Sequence, residues 1–169
     1  MSRGLGDVYK RQVLKEVKRT EIANITITCT DNIKSRLDLW NVLAKVPSSS
    51  YTDNNTPLYW MDFGNTKTAG QVVLGTVPKK IKQPVSTMYE TVGSLKVITR
   101  FVKYARVKEV DSGPSCSLAE ALEKQDLFIN STLAQLGCNI LWKMFRHGMI
   151  EHHGLFLNLE TMKVNPIGV

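Results

Sequence analysis

A β-branched run followed at once by a polar turn and a helical pattern is the feature that most constrains this fold. The run from Ile25 to Cys29 reads ITITC, which is typical of a buried strand. It ends at Thr30 to Asn32, and apolar residues then recur at helical spacing, at Ile33, Leu37, Trp40 and Ala44, on a face that Leu39, Val42 and Leu43 widen. A strand, a turn and a helix in this order predict an α/β fold, in which ligands bind at the carboxyl ends of the strands.

The turn after this strand carries the first candidate site. Asp31 stands at the predicted carboxyl edge of the sheet, where a carboxylate can hold Mg²⁺ against nucleotide phosphates. The alternative is that Asp31 or Asn32 only caps the following helix, which is a common role for these residue types. Sequence position alone does not separate the two interpretations.

Two further β-rich runs predict a pair of adjacent antiparallel strands. They span Leu58 to Phe63 and Gln71 to Val77, with Gly64-Asn65 and Gly70 between them. The stretch from Pro78 to Pro114 has few clear periods and predicts a long connection, which in a compact domain is usually functional or mobile.

The C-terminal part of the chain predicts two helices and a hairpin. Helical patterns cover Ser117 to Lys124 and Leu127 to Arg146, and the second is apolar nearly all round, which predicts burial on several sides in a core or an interface. The runs from Gly154 to Leu159 and from Thr161 to Val164, joined at Glu160, predict a terminal β-hairpin.

Cys116 is the second candidate site. It directly precedes Ser117, which begins a Ser-x-x-Glu capping box with Glu120, so the thiol is expected next to a helix N-terminus. The partial positive charge there favours the thiolate, which is the nucleophilic form. The alternative is a small packed cysteine under the loop. Cys29, in the predicted strand, and Cys138, in the apolar helix, fit that buried role better.

Composition excludes several classes of protein. Three cysteines without a C-x-x-C pair argue against a disulfide framework and a four-cysteine zinc site, and His147, His152 and His153 lack the spacing of a zinc motif. The net charge of +7 is scattered along the chain, so we expect no nucleic-acid partner. Apolar runs are too short to cross a bilayer and no signal core is present, so we expect no membrane partner and a cytoplasmic protein.

The first twelve residues, MSRGLGDVYKRQ, have no periodicity, and their G-L-G does not follow a strand. We interpret residues 1–12 as a non-native segment of the kind found at the ends of metagenomic assemblies. Residues 13–169 are then the domain, and we expect its coding region to have been cut upstream of Val13, where a nucleotide-binding α/β enzyme would keep its first strand and glycine turn.

Together, the two sites resemble a family of bacterial and eukaryotic enzymes. The segment Thr30-Asp31-Asn32 with Arg36 is similar to the T-D-N-x-x-x-R segment of the ThiF/MoeB/HesA superfamily of ubiquitin-like modifier-activating enzymes. Pro114-x-Cys116-Ser117-Leu118 resembles the segment that carries the thioester-forming cysteine in the eukaryotic members. The stretches YWMDFGNTKTAGQVVLG, PSCSLAEALEKQDLFINSTLAQLG and GLFLNLETMKV are most similar to the ThiF family protein of the plasmid-associated PRTRC system.

This resemblance implies the C-terminal portion of a Rossmann-like adenylation domain. It implies ATP-dependent adenylation of the C-terminus of a small ubiquitin-like protein, with Asp31 binding Mg²⁺ and Asp31, Asn32 and Arg36 contacting the nucleotide. It also implies possible thioester formation on Cys116, and a homodimer for the complete protein.

The chain departs from the family pattern in two respects. The family's glycine-rich ATP loop has no counterpart in this chain, so we expect the fragment to be inactive. The family's zinc-binding cysteine pairs are also absent, so we expect no zinc. The alternative is a non-catalytic dimerisation or scaffold module with a vestigial nucleotide pocket.

Overall fold

The computed structural model of the chain describes residues 22–30, 32–46, 56–77, 81, 85, 92–102, 104 and 125–169. The secondary structure within these residues is, in chain order, β1 (Ile25–Thr28), α1 (Ile33–Lys45), β2 (Tyr59–Asn65), β3 (Ala69–Thr76), the short α2 (Ile98–Phe101), α3 (Ile129–His147), β4 (His152–Asn158) and β5 (Lys163–Gly168).

The strands form one five-stranded sheet in the order β1-β2-β3-β4-β5. β1 runs parallel to β2, and Thr28 at its carboxyl end is in register with Asp62. The pairs β2-β3, β3-β4 and β4-β5 are all antiparallel. A parallel pair extended by antiparallel strands makes the sheet mixed, and the α/β fold class predicted from the sequence is confirmed.

Helices cover both faces of the sheet. On one face, α3 packs through Ile129, Leu133 and Ile140 against a buried cluster that includes Met61 and Leu74. On the other face, α1 and the stretch that contains α2 pack against a second cluster, which includes Trp60 and Val73 from the same two strands. Successive residues of β2 and β3 therefore serve opposite layers, as strand geometry requires.

Glycine allows α3 to approach the sheet closely. A Cβ added at Gly137 would lie 2.3 Å from Cζ of Phe63, and one at Gly70 would lie 2.4 Å from Cδ1 of Leu133. A larger residue at either position would push α3 away from β2 and β3, so both glycines set the distance between helix and sheet.

The helix predicted after the first strand is confirmed, and Ile33 and Trp40 of its predicted face pack against the second cluster beside Leu39 and Leu43. Leu37 is 37% exposed and Ala44 is also exposed, whereas Leu39 and Leu43 are the buried residues of α1. The apolar pattern of this helix is broad enough to fit either side. Arg36 turns toward the sheet to meet Asp62, and it lies on the same stripe as Leu39 and Leu43, at i, i+3 and i+7. This polar contact and the apolar packing of Leu39 and Leu43 therefore lie on the same side of the helix.

The long apolar helix is also confirmed as α3, but it is not buried on all sides. Its buried residues lie on one stripe, while Trp142 is 63% exposed and Phe145 is 67% exposed. Trp142 and Phe145 lie off this stripe, so part of the apolar surface of α3 faces outward.

Both predicted hairpins are confirmed with changed bounds. Gly64 and Asn65 belong to β2 and Gly70 to β3, and the chain reverses over residues 66–68, where the amide of Thr66 donates to the carbonyl of Ala69 over 2.7 Å. The terminal hairpin has longer strands than predicted. The predicted helix from Ser117 to Lys124, Cys116, residues 1–12 and most of the connection from Pro78 to Pro114 lie outside the described residues, so those expectations stay predictions.

Candidate functional site

The carboxyl edge shared by β1 and β2 holds the described residues of the predicted nucleotide site. Oδ1 of Asn32 accepts a hydrogen bond of 2.7 Å from the amide of Ser35, so Asn32 is the N-cap of α1. Of the two residues considered for capping, Asn32 therefore has that role. Asp31 lies outside the described residues, and its expected role in metal binding stays a prediction.

Arg36 joins the ends of the two parallel strands. Its Nη2 donates to the carbonyl of Thr30 over 2.6 Å and to the carbonyl of Phe63 over 2.9 Å. Its Nε donates to Oδ1 of Asp62 over 3.1 Å. Two guanidinium nitrogens are therefore committed to the protein itself, and the side chain is only 12% exposed. Direct contact between Arg36 and a nucleotide stays a prediction, but the described contacts are those of a residue that holds the strand ends together.

Asp62 is the centre of a buried polar network that the sequence analysis did not identify. Its side chain is completely buried, and besides Arg36 it accepts hydrogen bonds from Oγ1 of Thr28 over 2.6 Å and from the hydroxyl of Tyr104 over 2.7 Å. Thr28 Oγ1 in turn accepts from Nε1 of Trp60 over 2.8 Å. The available signal was a carboxylate inside the apolar run YWMDF, where a buried charge needs partners.

Burial governs the ionisation of this network. Desolvation raises the pKa of Asp62, while the charge of Arg36 and the hydrogen bonds from Thr28, Tyr104 and Arg36 act to lower it. Burial also raises the pKa of Tyr104, and the negative charge of Asp62 beside the phenol raises it further. Tyr104 therefore stays protonated and donates its hydrogen bond throughout the physiological range.

A cavity of about 390 Å³ opens on the α1 side of the sheet at this same edge. Arg36 and Tyr104 form part of its wall, so two of the three donors to Asp62 also line this space. Apolar side chains such as Phe156 make up much of the remaining wall. The carboxamides in the wall belong to Asn65, Gln71, Asn158 and Asn165. An apolar cavity with a few convergent polar groups is typical of a small-ligand site.

One buried polar atom beyond the end of β1 has no hydrogen-bond partner. Oγ1 of Thr30 is the one buried side-chain polar atom in the described part of the chain that has no hydrogen-bond partner. A hydroxyl oxygen is a hard donor of the type that Mg²⁺ prefers. Thr30 is the residue before Asp31 in the chain, and the expected binding of Mg²⁺ by Asp31 stays a prediction.

The two described cysteines are not buried, which corrects the sequence expectation. Cys29 is exposed just beyond β1, and Cys138 is exposed on the outer side of α3. The strand ends one residue before Cys29, and only one stripe of α3 packs inward. Desolvation nevertheless raises the pKa of Cys29, and the charge of Asp62 adds to that rise while Arg36 opposes it. Cys116 lies outside the described residues.

The histidines do not form a metal cluster within the described residues, where no three His, Cys, Asp or Glu side chains converge. His153 is instead a packed residue of β4, only 1% exposed, and its Nδ1 lies 2.7 Å from the carbonyl of Leu74. Burial lowers the pKa of His153, and the positive charge of Lys96 lowers it further, while the bond to Leu74 acts to raise it.

No protein-family model matches this chain, and no curated protein matches it significantly. Across the helices in the described ranges, none combines the length and the apolar character that crossing a membrane requires.

Proposed function

We propose that this chain is the C-terminal part of a ThiF-type adenylation domain, which activates the C-terminal carboxylate of a small ubiquitin-like protein with ATP. The observation that carries the proposal is the cavity at the carboxyl edge of a parallel strand pair, next to the segment that resembles the superfamily's T-D-N-x-x-x-R. Ligands of open α/β folds bind at this edge.

In the proposed reaction, a carboxylate oxygen of the partner protein attacks the α-phosphorus of ATP. The bond between the α-phosphorus and the oxygen that bridges the α- and β-phosphates breaks. Pyrophosphate leaves, and an acyl adenylate forms. Mg²⁺ held by Asp31 would neutralise charge on the phosphates. The reaction needs positioned positive charge more than acid-base catalysis, and the backbone of the strand ends is held in place by Arg36.

A second step would use Cys116. Its thiolate would attack the acyl carbon of the adenylate, AMP would leave, and the partner protein would be held as a thioester. The support for this step is sequence alone, from the capping box at Ser117 and the resemblance to the P-x-C segment.

Pyrophosphate exchange tests the proposal. The 169-residue chain is expected to give no exchange of labelled pyrophosphate into ATP, because it lacks a glycine-rich turn whose backbone amides would bind the phosphates. The protein extended upstream of Val13 is expected to give exchange that depends on a ubiquitin-like protein with a free C-terminus. Exchange by the 169-residue chain, or none by the extended protein with any ubiquitin-like candidate, would contradict the proposal.

The exposed side of α3 favours a second candidate function, a non-catalytic dimerisation module. Trp142 and Phe145 are both more than 60% exposed, and Met149 is 46% exposed just beyond the helix, which together make an apolar stripe typical of an interface. Sedimentation of the chain over a range of concentrations tests this function. Two results together would favour the dimerisation module over the enzyme. The chain would form a dimer that Trp142→Ser disrupts, and the protein extended upstream of Val13 would show no pyrophosphate exchange.

A further inference from the structure

Asp62 occupies a position where a strand residue of this sheet would ordinarily be apolar. Its neighbours Trp60 and Met61 on β2 are core residues, and its register partner Val73 on β3 is completely buried. Placing a carboxylate here has a desolvation cost of several kcal/mol that the surrounding donors must offset. Such a residue is better explained by the side chains that its carboxylate positions than by a contribution to core stability.

The three donors to Asp62 come from three separate parts of the chain. Thr28 belongs to β1, Arg36 to α1, and Tyr104 to the stretch that follows α2. The carboxylate therefore ties a strand, a helix and a connecting segment to the middle of β2. Because Arg36 and Tyr104 also line the cavity, any shift of Asp62 changes two of its walls.

Arg36 transmits this restraint to the strand end. The carbonyls of Thr30 and Phe63 lie beyond the last register pair of β1 and β2, Thr28 with Asp62, and both accept hydrogen bonds from Nη2 of Arg36. A Cβ added at Gly64 would lie 3.2 Å from Nη2, so the glycine leaves room for the guanidinium there. In this position the guanidinium also donates from Nε to Oδ1 of Asp62.

Both described neighbours of Asp31 are thus fixed. The carbonyl of Thr30 is held by Arg36, and the side chain of Asn32 is held by the amide of Ser35. We propose that Asp62 is a positioning residue of the proposed nucleotide site, which orients Arg36 and, through it, the carboxyl end of β1. That this restraint serves a nucleotide site rests on the proposed function. The restraint itself rests only on the hydrogen bonds of Arg36 and Asp62.

Substitution of Tyr104 provides a second, independent way to test the restraint on Asp62. Its hydroxyl donates to Oδ2 of the carboxylate, and the residue lines the cavity. Removing that hydroxyl in Tyr104→Phe keeps the ring and the charge of Asp62, so it loosens the carboxylate without leaving Arg36 unpaired. Tyr104→Phe is therefore expected to have the same effect as Asp62→Asn, but smaller.

Hydrogen exchange followed by mass spectrometry tests the positioning role in the 169-residue chain. Asp62→Asn preserves shape but removes the charge that orients Arg36, so peptides covering residues 29–36 are expected to exchange about tenfold faster or more. Peptides covering β4 and β5 are expected to exchange at the wild-type rate. The matched control is Glu160→Ala at the exposed turn of the terminal hairpin, which is expected to leave residues 29–36 unchanged.

Two results would overturn the inference. One is unchanged exchange in residues 29–36 of both Asp62→Asn and Tyr104→Phe. The other is an equal increase in β4 and β5 for both variants, because a uniform increase reports lost global stability rather than a local restraint. If Asp62→Asn does not fold, Tyr104→Phe alone decides between these outcomes.

A second measurement separates this inference from the proposed function. In the protein extended upstream, Asp62→Asn is expected to raise the Mg²⁺ concentration for half-maximal pyrophosphate exchange about tenfold, and Glu160→Ala is expected to leave it unchanged. An unchanged Mg²⁺ dependence in Asp62→Asn would contradict the positioning role. Locally faster hydrogen exchange in a protein without any pyrophosphate exchange would support the restraint and contradict the proposed function.

Discussion

Nε of Arg36 lies 3.1 Å from Oδ1 of Asp62, and the carboxylate of this pair is completely buried. The pair joins the helix after β1 to the neighbouring parallel strand, at the edge where the fold predicts a ligand. It explains both the inward side of α1 and the closure of the two strand ends.

Breaking this pair is expected to destabilise the fold. Asp62→Ala leaves Arg36, Thr28 and Tyr104 without their acceptor, and loss of one partner from a buried charged pair typically lowers the free energy of unfolding by about 3 kcal/mol or more. Urea unfolding of the chain measures the change. Glu160→Ala is the control and is expected to stay within about 0.5 kcal/mol of wild type. A similar small change for Asp62→Ala would show that the network contributes nothing to stability.

A methyl group at Gly137 is expected to separate α3 from the sheet. The added Cβ would lie 2.3 Å and 2.5 Å from Cζ and Cε1 of Phe63. Overpacking of this kind costs about 1 to 3 kcal/mol, which exceeds the gain of about 1 kcal/mol from replacing glycine with alanine in a helix. Gly137→Ala should therefore lower the melting temperature. Cys138→Ala, at the exposed neighbouring position, should not, and equal melting temperatures for the two variants would argue against the close approach.

His153 is expected to make stability fall in mild acid. Burial lowers the pKa of His153 in the folded protein, so between pH 7.5 and pH 5.5 the unfolded chain takes up a proton that the folded chain resists. The free energy of unfolding should then decrease as pH falls through the unfolded value of about 6.5. Asp62 has a raised pKa and contributes in the opposite direction.

The histidine contribution is isolated by comparing variants. His153→Gln keeps an amide donor for the carbonyl of Leu74 but does not titrate, so its stability should change less between pH 7.5 and pH 5.5 than that of wild type. His152→Gln, at the exposed neighbouring position, should follow wild type. Parallel curves for all three proteins would show that His153 does not carry this pH dependence.

The cysteines should differ in reactivity. Cys29 is exposed, but burial of its thiol and the nearby charge of Asp62 raise its pKa, so it has little thiolate at neutral pH. Cys116, if it precedes the capped helix at Ser117, should have a lowered pKa and react first with iodoacetamide. Mass spectrometry of partly labelled protein gives the order. Faster labelling of Cys29 than of Cys116 would remove the argument for Cys116 as a nucleophile.

Local patterns predicted the elements of this fold well, because strand and helix periods depend on nearby residues. β1, α1, the β2-β3 pair and the terminal hairpin all follow from such patterns. The apolar pattern of α1 is too broad to define its inward side closely, and Ile33, Trp40, Leu39 and Leu43 all pack into the second cluster. The capping role of Asn32 was anticipated as one of two possibilities, and it took a hydrogen bond to assign it.

The site itself was only partly predictable. Arg36 was identified through a resemblance, but its partners Asp62 and Phe63 lie more than twenty residues away along the chain, and Tyr104 lies further still. No periodicity connects residues at such separations. A carboxylate in an apolar strand is the one local sign of the network, because a buried charge requires partners wherever they come from.

Pyrophosphate exchange by an Asp31 variant tests the central proposal most directly. In the protein extended upstream of Val13 and supplied with its ubiquitin-like partner, Asp31→Ala should abolish ATP–pyrophosphate exchange, because Asp31 is proposed to hold Mg²⁺ against the phosphates. The fold should persist, since Asn32 rather than Asp31 caps α1. Asp38→Ala, the same type of substitution within α1, should exchange at the wild-type rate. Normal exchange by a folded Asp31→Ala protein would contradict the assignment of this strand end as the adenylation site.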